Sequence, residues 1–141
     1  MGHATRWPQR LIAADGEERA WRRRCVERVL ELAQHLDKPD RLLLEQVYRH
    51  GLSAAELELI TGMGRRRLQR RIARLTKRIQ QREFRLLTQR AELVPRDCLA
   101  VGRRFFLQGR SLRDTVRLTG LTLHQVRQRI RTIRTLAQAI G

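Results

Sequence analysis

The side chains with the clearest chemical capacity in this sequence form a run of arginines near its middle. The run opens abruptly with Arg65, Arg66 and Arg67. It continues through Arg70, Arg71, Arg74, Lys77, Arg78 and Arg82. A guanidinium is a planar fork that donates paired hydrogen bonds to a phosphate or to the edge of guanine. Because like charges three and four positions apart destabilise a helix, so dense a run predicts a polyanion lying against it.

The distribution of charge along the chain supports the same reading. The 141 residues carry 31 lysines and arginines against 14 acids, a formal net charge of +17. Residues 1–63 hold ten of each sign, so the whole excess follows Gly64. A chain this basic repels itself unless a polyanion neutralises it, and nucleic acid is the first expected partner.

Other chemistries lack the residues they need. Tyr48 is the only tyrosine and occupies a core position of its predicted helix, without the histidine and arginine constellation of strand transfer. The histidines are scattered, Cys25 and Cys98 have no partner at metal-ligand spacing, and no glycine-rich phosphate loop occurs. We therefore expect no catalytic residue, no metal site and no cofactor.

The arginine run belongs to a segment that occurs twice. Residues 41–75 align with residues 99–133 when the sequence is shifted by 58 positions. The identical residues fall at turns and helix starts: Gly51 with Gly109, Ser53 with Ser111, Thr61-Gly62 with Thr119-Gly120, and Arg71-Ile72 with Arg129-Ile130. Apolar positions also coincide, Leu68 with Val126 and Leu75 with Ile133 among them. The agreement predicts an internal duplication.

Each copy predicts three helices. In the first, Asp40 caps a helix that Gly51 ends, and Ser53 with Glu56 forms a capping box for a short second helix ending at Gly62. A third helix then carries an apolar stripe of Leu68, Ile72, Leu75 and Ile79. The second copy repeats this plan with Ser111 and Asp114, Gly120, Thr122 as cap, and Val126, Ile130 and Ile133. A short helix, a glycine turn and a helix with a polar outer face are typical of the helix-turn-helix, whose second helix enters the major groove.

The fold class predicted is all-α, with two tandem three-helix helix-turn-helix units behind an N-terminal helix. We expect a tail and helix over 1–38, a first unit over 39–80, a helical connector over 81–94 and a second unit over 95–141. The N-terminal helix, from Asp15 to about His35 or Leu36, presents Trp21, Cys25, Val29, Leu32 and Leu36 on one face. It either packs on the first unit or makes a dimer contact. Residues 76–93 are helical in composition and form either one helix or two.

The first copy resembles the promoter-reading helix-turn-helix in the fourth conserved region of bacterial sigma factors. The similarity rests on Arg41, Leu44, Tyr48, Gly51-Leu52-Ser53, Glu56, Leu57, Gly62, Leu68 and Arg71. Both copies depart from the family where Glu58 and Val116 replace the usual small alanine, and the first copy departs again where Gly64 replaces a serine or threonine cap. The family's polymerase-gripping helix has no counterpart in residues 1–40. The resemblance implies a DNA-reading fold and leaves polymerase open as a partner.

The positions expected to contact DNA are the outward ones on the two third helices. In the first copy they are Arg65, Arg66, Arg67, Gln69, Arg70, Arg71 and Arg74. In the second they are Thr122, His124, Gln125, Arg127, Gln128, Arg129 and Arg131. Arg71 and Arg129, at the arginine position of the resembled motif, suit phosphate. Most of the first set should grip backbone, whereas the glutamines of the second suit adenine.

These expectations combine into a sequence-specific regulator of transcription that binds double-stranded DNA through two recognition helices. The alternatives are a DNA-coating or DNA-bending protein or an RNA binder without base readout, and a protein in which one unit has become a protein contact. RNA polymerase, another transcription protein and a second copy of the chain are further partners to test. No apolar run reaches the roughly 18–20 residues that span a bilayer, so we expect a cytoplasmic, nucleoid-associated protein with no membrane contact.

Overall fold

The computed structural model describes residues 16–140 and contains, in that range, eight α-helices and no β-strand. The predicted all-α class is confirmed. The helices are α1 Gly16–Ala33, α2 Lys38–Tyr48, α3 Ala54–Thr61, α4 Arg65–Ile79, α5 Arg82–Gln89, α6 Arg96–Gly102, α7 Leu112–Thr119 and α8 Leu123–Ile140. A 3-10 turn spans Ala91–Leu93 and a π-helical turn spans Arg103–Leu107. The chain divides into two compact units, Met1–Lys77 (unit 1) and Arg78–Gly141 (unit 2).

The helix bounds repeat with the offset found in the sequence. Helix α3, Ala54–Thr61, matches α7, Leu112–Thr119, at both ends with a shift of 58 positions. Helices α4 and α8 begin 58 positions apart, and so do α2 and α6. The π-helical turn extends α6 over the positions that match the second half of α2. The duplicated sequence therefore gives a duplicated order of helices.

The turns that separate these helices repeat as well. Ser53 and Ser111 cap α3 and α7 by accepting the backbone N–H of Glu56 and Asp114. Gly51, Gly62, Gly109 and Gly120 have φ between 66° and 73°. That left-handed conformation suits glycine because a side chain would crowd the following carbonyl. The predicted caps at Ser53 and Ser111 and the predicted glycine turns are confirmed.

The core of unit 1 joins α1, α2, α3 and the first part of α4. Helix α1 packs on α2, and Leu44, Leu57 and Leu68 are at most 1% exposed. The Tyr48 hydroxyl lies 3.3 Å from the Thr76 hydroxyl, which also donates to the Ile72 carbonyl at 2.8 Å. Buried polar groups on α2 and α4 thus satisfy each other.

Two local predictions for unit 1 were wrong. Asp37, and not Asp40, is the N-cap residue of α2, because Pro39 occupies the first turn. Asp40 lies inside the helix and binds Arg71 instead. On α1, Trp21 is 40% exposed while Arg22 is 5% exposed and pairs with Glu18 at 2.8 Å. At the start of α1, Arg22 is therefore buried in place of the predicted Trp21. From Val29 onward the predicted residues are buried.

Unit 2 is built around α8. Its buried cluster comprises Leu86, Leu87, Val94, Cys98, Val101, Phe106, Val126, Ile130, Ile133 and Ala137. Helices α5, α6 and α7 each pack on α8. The segment 81–94, interpreted from sequence as a connector, contributes Leu86 and Leu87 to this core. The break between α4 and α5 at residues 80–81 settles the open question about 76–93 as two helices, because Gln81 is extended.

The π-helical turn of unit 2 places two phenylalanines. Phe106 is 4% exposed and Phe105 is half-buried, and their rings meet edge to face at 5.0 Å. The Arg134 guanidinium of α8 lies within 6 Å of both ring centroids, at 5.9 and 5.8 Å, the range of a cation–π interaction. The turn thereby contacts α8 through Arg134.

Candidate nucleic-acid interface

Helix α4 separates an apolar side from an arginine side. Leu68 and Leu75 are 1% and 2% exposed. The opposite positions are exposed: Arg65, Arg66, Arg67, Gln69, Arg70 and Arg74. Because Leu68 and Leu75, seven positions apart, lie on the same side of the helix, the exposed side chains point away from that side. The structure thus brings the predicted residues of the first copy, except Arg71, onto one open helical surface.

Helix α8 repeats this separation with different outer residues. Val126, Ile130 and Ile133 are at most 4% exposed. The exposed predicted residues are Thr122, His124, Gln125, Arg127, Gln128 and Arg131. An open polar cleft of about 580 Å³ runs beside this surface. Its lining includes Asp97, Gln125, Gln128, Arg129 and Arg131. The outer face of α8 offers amide donors and acceptors beside guanidinium groups, which is the mixture that base readout needs.

The two matching arginines, Arg71 and Arg129, are the predicted residues that do not lie open. Arg71 donates from Nε at 3.2 Å and from Nη2 at 2.6 Å to Oδ1 of Asp40. Arg129 has Nη2 3.7 Å from Oδ2 of Asp97, and its Nε is buried without a hydrogen-bond partner. In each unit the arginine ties the third helix to an aspartate in the first turn of α2 or α6. Both arginines therefore have a structural role.

The start of α8 carries a capping box. The Gln125 N–H donates to Oγ1 of Thr122 at 3.1 Å, and the Thr122 N–H donates to Oε1 of Gln125 at 3.0 Å. Two residues predicted to read bases thus satisfy free amides of the first turn. The side-chain NH₂ of Gln125 does not take part in the box and stays a donor, and His124, Arg127 and Gln128 are exposed.

The start of α4 is built differently. Gly64 precedes the helix and has no side chain to cap it. Oε2 of Glu58, on α3, accepts the Arg65 N–H at 3.0 Å, and Oε1 lies 3.6 Å from Arg65 Nη2. A carboxylate therefore replaces the missing cap and pairs with the first arginine of the run.

Sequence reasoning missed these three carboxylates as partners of the arginines. Glu58 was noted only as a departure from the alanine of the resembled family, and Asp40 only as a cap. Asp97 was not singled out. The duplication carried a signal for the aspartates. Each copy has an acid in the first turn of its first helix, Asp40 or Asp97, and an arginine at the same position of its third helix, Arg71 or Arg129.

The remaining candidates behave as structural residues. Tyr48 is 5% exposed, and burial raises the pKa of its phenol although the Thr76 hydrogen bond lowers it. Cys98 is buried, and burial likewise raises the pKa of its thiol, whereas Cys25 is only partly buried. Across residues 16–140, no three or more histidine, cysteine or acidic side chains are grouped so as to hold a metal ion. Nor does this range contain a helix long and apolar enough to cross a membrane.

Comparisons of the chain with protein-family models, with curated proteins and with solved structures found no match. The resemblance to the fourth region of sigma factors therefore stays a prediction that rests on the residues quoted above.

Proposed function

We propose that the protein binds double-stranded DNA and regulates transcription, with α4 and α8 as recognition helices of two tandem helix-turn-helix units. The observation that carries the proposal is the repetition of helix bounds, caps and glycine turns at an offset of 58 residues, each time ending in a helix with an open polar face. In the helix-turn-helix such a helix lies in the major groove. Two linked units that each bind weakly bind tightly together, because the second contact is intramolecular.

The two helices divide the work in this proposal. The outer face of α4 has arginines at five of its six exposed predicted positions, more than base readout uses, so most of them grip phosphate. The outer face of α8 presents His124, Arg127, Gln128 and Arg131. Glutamine recognises adenine and arginine recognises guanine. Sequence preference therefore resides mainly in α8.

A second candidate function is binding to DNA or structured RNA without base readout. The specific observation in its favour is the outer face of α4, where Gln69 is the one uncharged side chain among the predicted contacts. The outer face of α8 argues against this second function. A protein that only coats DNA does not need hydrogen-bond donors and acceptors on α8 that differ from those on α4.

The test is a selection of bound duplexes from a random pool, followed by titration of the selected duplex, a scrambled duplex and a structured RNA at two salt concentrations. A regulator keeps a preference of about 10³-fold or more for the selected duplex at physiological salt. A coating protein shows equal affinities and only the salt dependence of phosphate contacts. Failure to bind any duplex contradicts the regulator, and failure to bind the duplexes and the RNA contradicts both functions. Contacts with RNA polymerase or another transcription protein, and a dimer contact through α1, stay proposals for separate binding assays.

A further inference from the structure

The ion pair between Glu58 and Arg65 places a negative charge at the N-terminus of α4. Both Glu58 oxygens face Arg65, one at 3.0 Å from its backbone nitrogen and the other at 3.6 Å from Nη2. The two side chains are 40% and 56% exposed. The pair therefore lies on the surface, beside the open arginines Arg66 and Arg67.

The second copy shows that this turn does not require a carboxylate. Val116 stands at the position that matches Glu58, and the start of α8 is capped by Thr122 and Gln125. These two neutral side chains accept the N–H groups of Gln125 and Thr122, so the start of α8 is capped without a charge. The Cβ of a larger residue at Gly64 would meet no atom within 4 Å, so a neutral serine or threonine cap fits there too. Unit 1 therefore has a negative charge before α4, at Glu58, that unit 2 lacks before α8, at the matching Val116.

Resting on the DNA binding proposed above, we infer that Glu58 sets the affinity for DNA by weakening the hold of unit 1 on backbone phosphate. Its carboxylate neutralises Arg65 and repels a phosphate that approaches the start of α4. Attraction to phosphate supplies nearly all of non-specific binding. A charge that reduces this attraction lowers the affinity for every duplex, because selected and scrambled sequences present the same phosphates to the start of α4.

The experiment compares Glu58→Gln with Glu92→Gln in the full chain, using a 20-base-pair scrambled duplex. Each substitution removes one negative charge and releases one arginine, since Glu92 pairs with Arg90 at 2.9 Å in the 3-10 turn. At about 50 mM salt we expect Glu58→Gln to bind the scrambled duplex roughly three- to tenfold more tightly than the wild type. The salt dependence of log K should steepen by about 0.9, equivalent to one more phosphate contact. Glu92→Gln should change either quantity much less.

A double-mutant cycle identifies the arginine that is released. Arg65→Gln should cost little in the wild type, where Arg65 is already paired, and should abolish the gain in the Glu58→Gln background. Arg66→Gln should cost the same in both backgrounds. Circular dichroism checks that α4 is retained, and Glu58→Gln combined with Gly64→Ser supplies a neutral cap if the single variant loses helix.

The outcomes separate this inference from the proposed function. If the wild type binds no duplex, both fail. If the wild type binds and Glu58→Gln matches Glu92→Gln, or binds more weakly, Glu58 is only a cap and the inference is overturned while the proposed function stands.

Discussion

At the scale of single residues, the burial of Tyr48 makes the stability of the folded protein depend on pH. Its hydroxyl is buried beside Thr76, and desolvation raises the pKa of the phenol above its ordinary value of 10.0. In the unfolded chain the phenol ionises near that ordinary value. The stabilisation is therefore fully present below pH 10 and is lost as the pH rises towards the folded pKa.

Tyr48→Phe should remove this contribution. We expect the substitution to cost about 1 kcal/mol at neutral pH for the lost hydrogen bond, because the Thr76 hydroxyl keeps its bond to the Ile72 carbonyl. The measurement is urea unfolding from pH 8 to pH 11. The wild type should lose stability across pH 10 more steeply than the variant. Equal slopes would show that Tyr48 does not titrate differently in the two states.

Gly51 and Gly109 form a matched pair that separates backbone strain from a steric clash. Both have positive φ, 66° and 70°, but a Cβ at Gly51 meets nothing within 4 Å whereas one at Gly109 would come within 2.8 Å of Arg78 Nε. Gly51→Ala should cost about 1–2 kcal/mol from the left-handed conformation alone. Gly109→Ala should cost slightly more, because the Arg78 guanidinium must move aside from its bond to the Leu107 carbonyl, and Arg78→Ala in the same chain should remove the excess. Thermal unfolding of the four proteins measures the difference, and equal costs at the two glycines would contradict the clash.

At the scale of the helices, the two copies reach the same bounds by different caps. Helix α8 relies on Thr122 and Gln125, whereas α4 relies on Gly64 and a carboxylate from the preceding helix. A threonine cap bonds within its own first turn, while Glu58 acts across seven residues. The stability of the start of α4 therefore depends on the position of α3.

Thr122→Ala and Gly64→Ser should have opposite effects. The first removes a side-chain cap and should destabilise the protein by about 1 kcal/mol. The second adds a cap in open space and should stabilise it by a few tenths of a kcal/mol. Chemical denaturation measures both, with Ser111→Ala as a third cap deletion for comparison. A stabilising effect of Thr122→Ala would refute the capping box.

The helices were largely predictable because capping residues, turn glycines and the spacing of apolar residues are local properties of the sequence. Ser53, Ser111 and the four turn glycines fix where α3 and α7 begin and end, and the spacing of Leu68 and Leu75 fixes the buried side of α4. The errors concern partners brought together by the fold. Asp40 looked like a cap because its partner, Arg71, is 31 positions away. The candidate surfaces on α4 and α8 followed from periodicity, but the carboxylates that pair with Arg65, Arg71 and Arg129 did not.

At the scale of the whole molecule, the excess positive charge all lies after residue 63, and it differs in kind between the two proposed reading helices. The arginines of α4 are suited to any duplex, because phosphates are the same in every sequence. The mixed side chains of α8 are suited to particular bases. In the proposed function, α4 holds the duplex and α8 reads its sequence.

Substitutions in the two helices should change binding in different ways. Replacing Arg65, Arg66 and Arg67 together by glutamine should weaken binding to selected and scrambled duplexes alike, with a salt slope lower by about two or three. Replacing Arg127 and Gln128 by alanine should weaken binding to the selected duplex by about 1–3 kcal/mol per lost base contact. Binding to the scrambled duplex should change little, because the phosphate contacts of α4 are kept. Fluorescence anisotropy with both duplexes distinguishes the two patterns. If neither set weakens binding, the reading surfaces are misassigned.

The duplication also bears on how such a protein evolves. In a symmetric dimer every substitution occurs in both subunits at once, so the target must stay palindromic as it changes. Here the two copies are encoded separately and have already acquired unlike caps and unlike outer faces, although their helices keep the same bounds. In the proposed function, one copy is therefore free to adopt a new target sequence while the other keeps its contacts with DNA.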